Sequence, residues 1–309
     1  MYGSHIYTGS RLHVYEHDLA PAKTAIIARR LMTRESIVTE AEIIANTLEP
    51  RTRPSLVADL KQLGVEPGMA VLVHSSLSSL GWVNGGSVAV IQALQDVLTP
   101  QGTLIMPAHS GDLSDPAGWK NPPVPDSWCE VIRETMPAYD PCTTHTRAIG
   151  RVAEHFRTWP GVQRSEHPTL SFCAWGRYAG EITRDHQLDD SLGEGSPLAR
   201  LYDLNGHVLL LGVGYDSNTS FHLAEYRIPQ RQELDLGAPI LQEGQRRWIT
   251  YRDIILNSDP FPQLGEAFES KGSIRTGRVG SATCRLFRQR LSVDYAVEWL
   301  QSRSSKPAK

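Results

Sequence analysis

The chain predicts an α/β fold, a sheet with flanking helices, on three observations. Residues 69–106 read in succession as strand, polar loop, amphipathic helix and strand, the βαβ unit from which parallel sheets are built. A second aliphatic run at 208–213 breaks into a loop and then a helix start at Asn218-Thr219-Ser220, the order expected where a buried strand feeds a helix. With 309 residues, 40% of them hydrophobic and 21% charged, the chain supplies one large α/β domain or two smaller ones.

The opening segment, 1–53, is expected to lie outside that domain, because Met1-Tyr2-Gly3-Ser4-His5 and Tyr7-Thr8-Gly9-Ser10 have the composition of flexible or tag-derived sequence. One short helix is expected inside it over 22–32, with Arg29 and Arg30 on a solvated face. The domain proper spans 54–303, followed by a tail at 304–309. It opens with helical apolar spacing over 55–64, a stop at Gly64 and a turn at Pro67-Gly68. A buried strand over 69–74 then runs into Ser75-Ser76-Leu77-Ser78-Ser79-Leu80-Gly81, and Gly85-Gly86-Ser87 opens a helix ending at Leu98. Thr99-Pro100-Gln101-Gly102 turns the chain into a strand over 103–106. The stretch 112–126, rich in proline and tryptophan, reads as a loop beside the active site. Further on come a strand at 170–174, helices at 196–202 and 221–227 with the 208–213 strand between them, a hairpin over 239–251 turning at Glu243-Gly244, and a last helix over 293–302.

Composition excludes several function classes. A net charge of −3 with interleaved signs lacks the basic excess that a phosphate backbone requires, so no nucleic-acid partner is expected. No apolar run reaches membrane-span length and no basic-then-apolar leader opens the chain, so neither membrane insertion nor export is expected. Cys129, Cys142, Cys173 and Cys284 are far apart without CxxC spacing, which indicates neither zinc nor a disulfide framework and fits a cytoplasmic location.

Two places carry chemistry. Ser75, Ser76 and Ser79 supply hydroxyls and N–H groups after a strand and ahead of a helix N-terminus, a combination that holds phosphate, although serine-rich turns after strands are common and neither a Walker loop nor GxGxxG is present. His222 sits in a first helical turn, where the helix dipole disfavours imidazolium and leaves a neutral base available; the competing reading is a structural hydrogen-bonding histidine. Glu225 lies three residues on, on the same face, but no third ligand falls at metal-site spacing, so no metal is expected. Acidic residues recur in the surrounding loops at Asp112, Asp115, Asp189, Asp190, Glu194, Asp216, Asp253 and Asp259. If they converge on one cleft, they suit a polycationic substrate.

Five ordered motifs then resemble one family, the acetyl-coenzyme A-dependent acetyltransferases that modify the 3-amino group of aminoglycoside antibiotics. They are Val73-His74-Ser75-Ser76-Leu77-Ser78-Ser79-Leu80-Gly81 with Gly85-Gly86; Gly102-Thr103-Leu104-Ile105-Met106-Pro107; Arg164-Ser165-Glu166-His167-Pro168; Gly193-Glu194-Gly195-Ser196-Pro197-Leu198; and Leu211-Gly212-Val213-Gly214 with Asn218-Thr219-Ser220-Phe221-His222-Leu223-Ala224-Glu225. The resemblance implies a mixed sheet with flanking helices in an antibiotic N-acetyltransferase-like fold, distinct from the common GNAT fold. It implies that His222 is the base, oriented by a carboxylate for which Asp216, Glu225 and Asp259 are candidates. It implies that coenzyme A is held by His74, Ser75, Ser76, Leu77, Ser79, Leu80 and Gly81, with Arg164 and Ser165 near a phosphate, and that the aminoglycoside meets Asp112, Asp115, Glu194, Asp253 and Asp259. An oxyanion donor is expected among N–H groups or hydroxyls near Ser75-Ser76. Where some relatives carry histidine before the Gly-Glu-x-Ser-Pro motif, this chain has Leu192, which bears on the range of antibiotics. A monomer or homodimer is expected. The competing functions are acetyl transfer to another amine in natural-product metabolism, a serine hydrolase using Ser75 or Ser76 with His222, and a non-catalytic coenzyme A or sugar-binding protein.

Overall fold

The structure, a computed structural model, describes residues 39–304; the helix expected over 22–32 and both chain ends lie outside the described residues. Thr39 starts α1 (Glu40–Ala45) through a reciprocal capping box with Glu42. Thr52 caps α2 (Arg53–Leu63), which stops at Gly64 with φ 100°, a left-handed position suited to glycine. β1 (Ala70–Ser75), α3 (Gly86–Leu98) and β2 (Thr103–Pro107) follow, the two strands pairing in parallel with Ala70 opposite Thr103. Beyond a long loop come α4 (Cys129–Thr135), α5 (Arg151–Arg157), β3 (Gln163–Arg164), β4 (Phe172–Gly176), α6 (Ala179–Thr183), α7 (Pro197–Asp203), β5 (His207–Leu211) and α8 (Ser220–Arg227). A separate hairpin, β6 (Glu233–Gln242) with β7 (Gln245–Ile254), turns at Glu243-Gly244 as expected but runs longer than 239–251. α9 (Phe261–Glu269), β8 (Ile274–Val279), β9 (Ala282–Arg288) and α10 (Gln289–Ser304) complete the chain.

The main sheet has strand order β3-β4-β2-β1-β5-β9-β8. Its centre, β2-β1-β5, is parallel, and both flanks are antiparallel. Strand alternation divides the core in two. Val71, Val73, Leu104, Met106, Leu209 and Leu211 face α2, α3 and α5, while Leu72, Ile105, Val208 and Leu210 face the helices α6 to α10. A three-layer α/β/α sandwich results, and the carboxyl ends of its three parallel strands open onto one edge, where such sheets keep their ligands.

Residues 47–51, ahead of the expected domain start at 54, are tied to this body. The Arg51 N–H donates to Trp82 O at 2.9 Å, Asn84 N–H to Arg51 O at 2.8 Å, and Trp82 N–H to Thr47 Oγ1 at 2.8 Å. Among the described residues no helix is long and apolar enough to cross a membrane.

Candidate active site

α8 starts at the edge where the parallel strands end, and its first turn carries His222. The helix is seated by Phe221, Leu223 and Ala224 in the core, with Phe221 edge-on to Phe261 of α9 at 5.3 Å. His222 is left 12% exposed, its Nδ1 2.6 Å from Glu225 Oε2. The other oxygen, Oε1, accepts the Asn257 N–H at 3.0 Å. Carboxylates only accept, so Nδ1 carries a proton toward Glu225, and in the neutral tautomer of that ring the lone pair is on Nε2. The ring of Phe261 lies 4.7 Å from the imidazole and covers one side of it. Of the three candidate orienting carboxylates, the structure pairs Glu225 with His222, whereas Asp216 and Asp259 are exposed.

Two further histidines stand at the neighbouring strand ends. His74, the fifth residue of β1, is only 6% exposed, and its Nε2 lies 3.2 Å from Thr219 Oγ1, one turn ahead of His222. Burial and the nearby His222 imidazole push His74 down to about 3. His109 follows β2, packs edge-on against Phe172 at 5.4 Å, and is likewise pushed to about 3, by burial first and then by His74, His222, His167 and Arg164. His109 is not among the residues that the sequence singles out. A signal was there: it is a histidine just beyond β2, as His74 ends the run of β1.

The serine run forms a tight turn beside these groups. Ser76 N–H donates to Leu211 O at 3.0 Å, and the Ser79 hydroxyl donates to Ser76 Oγ at 2.9 Å. Gly212 fits against the run because a Cβ there would stand 2.9 Å from Ser79 Cβ and 3.0 Å from Ala282 Cβ, at φ +75°. Leu77 forms part of the wall of a cavity of about 590 Å³ that also includes Gly85, Gly86, Ser87, Ile149, Gly150, Arg151 and His155. A second cavity of the same size lies against the β6-β7 hairpin, between Asp189 and Tyr251. His222 lines neither. The first adjoins the serine run and the start of α3, and its volume is ordinary for a site that takes part of a cofactor-sized ligand.

The family model for aminoglycoside 3-N-acetyltransferase matches residues 72–301. The chain belongs to that family. It is 51% identical over 269 residues to the SPbeta prophage-derived aminoglycoside N(3')-acetyltransferase-like protein YokD of Bacillus subtilis, covering 87% of this chain and 99% of the relative. The crystal structure of YokD superposes with a TM-score of 0.86 at 50% identity, over 87% of this chain and 100% of that one. Aminoglycoside N(3)-acetyltransferase III of Pseudomonas aeruginosa is 37% identical over 267 residues, covering 82% of this chain and 95% of the relative. A structure of AAC-IIIb with CoASH matches at TM-score 0.75 and 34% identity, covering 84% and 100% of the two chains. The family member described here is accordingly an acyltransferase with a mixed α/β sheet.

Several expected contacts of this acetyltransferase are placed elsewhere by the fold. Arg164 is spent on the protein: it donates to Ser171 Oγ at 3.0 Å, Thr144 O at 2.5 Å and Ala108 O at 2.7 Å, which braces the loop after β2 rather than facing a phosphate. Ser165 is fully buried, accepting from Phe172 N–H and paired with His186 Nδ1, both at 2.9 Å. Leu80 lies in the core, and Gly81 is packed against Ser281 and Thr47. His74 itself is turned inward to Thr219. Ser75, Ser76 and Leu77 are half-buried and Ser79 is exposed, so the accessible part of the expected coenzyme A loop is these four residues.

The acidic set divides as well. Asp253 is 3% exposed, with Oδ1 accepting from Tyr226 OH at 2.7 Å and Oδ2 from Ser191 Oγ at 2.5 Å and Ser191 N–H at 3.1 Å. It ties α8 to the 189–196 loop and presents no lone pair to a cleft, which corrects its expected role. Asp112 pairs with Arg147 at 2.6 Å, Asp115 with Arg133 at 2.7 Å and Glu194 with Arg227 at 2.7 Å. Asp190 accepts the Gly195 N–H at 2.5 Å, and Asp189 and Asp259 are exposed. Leu192, the departure before the Gly-Glu-x-Ser-Pro motif, is buried in the core beneath α8.

Proposed function

We propose that this acetyltransferase moves the acetyl group of acetyl-coenzyme A to the 3-amino group of a 2-deoxystreptamine aminoglycoside, working as a monomer or homodimer in the cytoplasm. The single observation that carries the mechanism is the 2.6 Å contact from His222 Nδ1 to Glu225 Oε2, because it leaves Nε2 as an oriented base. When bound, acetyl-coenzyme A supplies an acyl group already activated as a thioester, so no covalent acyl-enzyme is needed. The cavity beside Leu77, with the start of α3 and Arg151 in its wall, supports a place for part of that molecule. His222 Nε2 takes the proton of the attacking amine, Glu225 stabilises the imidazolium so formed, and the covered face against Phe261 limits water around the ring. Acetylation turns an ammonium of the antibiotic into a neutral amide, and the removal of that charge accounts for resistance.

A second reading, acetyl transfer to a less charged amine of natural-product metabolism, is favoured by one observation: Asp112, Asp115 and Glu194 each already hold an arginine. Incubating the full chain with acetyl-coenzyme A and gentamicin or apramycin separates the two. The proposal expects thiol release and an acetyl group located by NMR on the 3-amino nitrogen; no release with any aminoglycoside refutes it in favour of the other amine.

A further inference from the structure

The oxygen of the attacked carbonyl needs a donor, and at Ser76, one of the two serines expected to supply it, the polar groups are already engaged. Ser76 N–H is spent on Leu211 O at 3.0 Å, and the Ser76 hydroxyl is engaged with Ser79 at 2.9 Å and Ser78 at 3.2 Å. Another hydroxyl stands at the start of the helix that carries the base. Thr219 precedes His222 by three residues, and the His222 N–H donates to Thr219 O at 3.0 Å, so the two side chains rise from adjacent turns on one face with Cβ atoms about 5–6 Å apart. A base reaching the attacking nitrogen and a donor reaching the carbonyl oxygen need a spacing of that order, since both atoms are bonded to the same carbon.

We infer that Thr219 donates its hydroxyl hydrogen to the thioester carbonyl oxygen, and that His74 is the positioning residue that aims it; the inference rests on the acetyl-coenzyme A reading above. The contact that carries it is His74 Nε2 to Thr219 Oγ1 at 3.2 Å. A hydroxyl accepts and donates at once. With the proton of neutral His74 on Nε2, Thr219 Oγ1 accepts from the imidazole and its own hydrogen is turned toward the substrate, each bond polarising the next. In the step itself the amine lone pair forms the C–N bond while the carbonyl π pair moves onto the oxygen facing Thr219, and the amine proton passes to His222 Nε2. The C–S bond then breaks as the carbonyl re-forms, and the thiolate leaves with its electron pair and takes the proton back from His222.

The test needs a readout that does not depend on turnover. Infrared difference spectra of carbonyl-13C-labelled acetyl-coenzyme A bound to the full chain report hydrogen bonding to that oxygen directly. The expected result is a shift of the carbonyl band to lower wavenumber with the wild type and with His222→Ala, lost in Thr219→Val, recovered in Thr219→Ser and weakened in His74→Phe. In thiol release with gentamicin, Thr219→Val lowers kcat on the order of a hundredfold with little change in KM for acetyl-coenzyme A, and Thr219→Ser regains most of it. The double variant His74→Phe/Thr219→Val is no slower than Thr219→Val, because the two residues act as one unit. Thermal melts followed by circular dichroism establish that each variant is folded. A wild type without the band shift, or a Thr219→Val chain that keeps it, overturns the inference. If no aminoglycoside is acetylated while the band shifts follow the expected pattern, the acceptor assignment fails and Thr219 stands.

Discussion

At position 222 an imidazole is held by one carboxylate, one aromatic ring and one turn of helix, and each of these has a separate consequence. Glu225→Gln keeps the shape of the partner but offers His222 Nδ1 an uncharged group, so the ring loses both its fixed tautomer and the stabilisation of its charged form. Steady-state thiol release is expected to show kcat down on the order of a hundredfold, with KM for both substrates nearly unchanged; an unaltered kcat would remove Glu225 from the mechanism. The buried histidines govern stability instead. His74 and His109 are held neutral down to about 3 and His167 to about 4, against an ordinary 6.5, with burial the largest cause in each. Their folded pKa values lie below those of the unfolded chain, so between 6.5 and 3 the unfolded chain binds the additional protons. Stability is therefore full above about 6.5 and drains as pH falls, with a limiting slope of roughly tenfold in the folding constant per pH unit for each histidine. Melting temperature followed from neutrality into acid should drop below that point, and His109→Gln should flatten the drop; a melting temperature constant into the acid range would contradict it. The His222–Glu225 spacing was readable in the chain, as i and i+3 on one helical face. The inward turn of His74 was not, because a histidine ending an apolar strand reads the same whether it meets a ligand or a threonine from another element.

α8 depends on one support that lies far off in sequence, Phe261, and on one just ahead of it, Gly212, and both make it sensitive to changes outside the site. Phe261 of α9 is fully buried and touches both Phe221 and His222. Phe261→Ala leaves a cavity against both rings and should cost ~3–5 kcal/mol in urea unfolding, while Phe261→Leu should cost distinctly less. Gly212, between β5 and α8, should tolerate no side chain: Gly212→Ala combines φ +75° with a close approach to Ser79 and Ala282, and the account expects lower stability together with weaker acetyl-coenzyme A binding, measured by calorimetry. The βαβ unit, β5 and α8 were legible because their apolar runs and glycine stops agree with their burial. Neither β8 nor β9 is among the elements the sequence predicts. β8 is an edge strand with polar residues and Gly277 in its middle, but Ala282, Cys284 and Leu286 of β9 do alternate inward, with a turn at Gly280, and period-2 counting over 282–288 would have found that strand. The length of the β6-β7 hairpin was obscured because most of its residues are exposed or only partly covered.

Over the molecule as a whole, three of the carboxylates expected to meet a polycationic substrate, Asp112, Asp115 and Glu194, are each paired with an arginine. The pairs Asp112–Arg147 and Glu194–Arg227 have carboxylates 57% and 62% exposed, and exposed pairs of this kind contribute only ~0–1 kcal/mol, so the proposed reading expects the ammonium groups of its substrate to compete with these arginines. Arg147→Gln and Arg227→Gln should lower KM for an antibiotic with many amino groups more than for one with few, and steeper salt dependence should accompany the change; equal effects on both antibiotics would show that these arginines do not set acceptor charge. This pairing was invisible in the chain because Asp112 and Arg147, or Glu194 and Arg227, are brought together only by the fold. The most direct test of the account compares thiol release from acetyl-coenzyme A, in the presence of gentamicin, by the wild-type chain and by folded His222→Ala. Turnover lowered by two to four orders of magnitude is the predicted result, and turnover equal to that of the wild type would contradict the assignment of His222 Nε2 as the base.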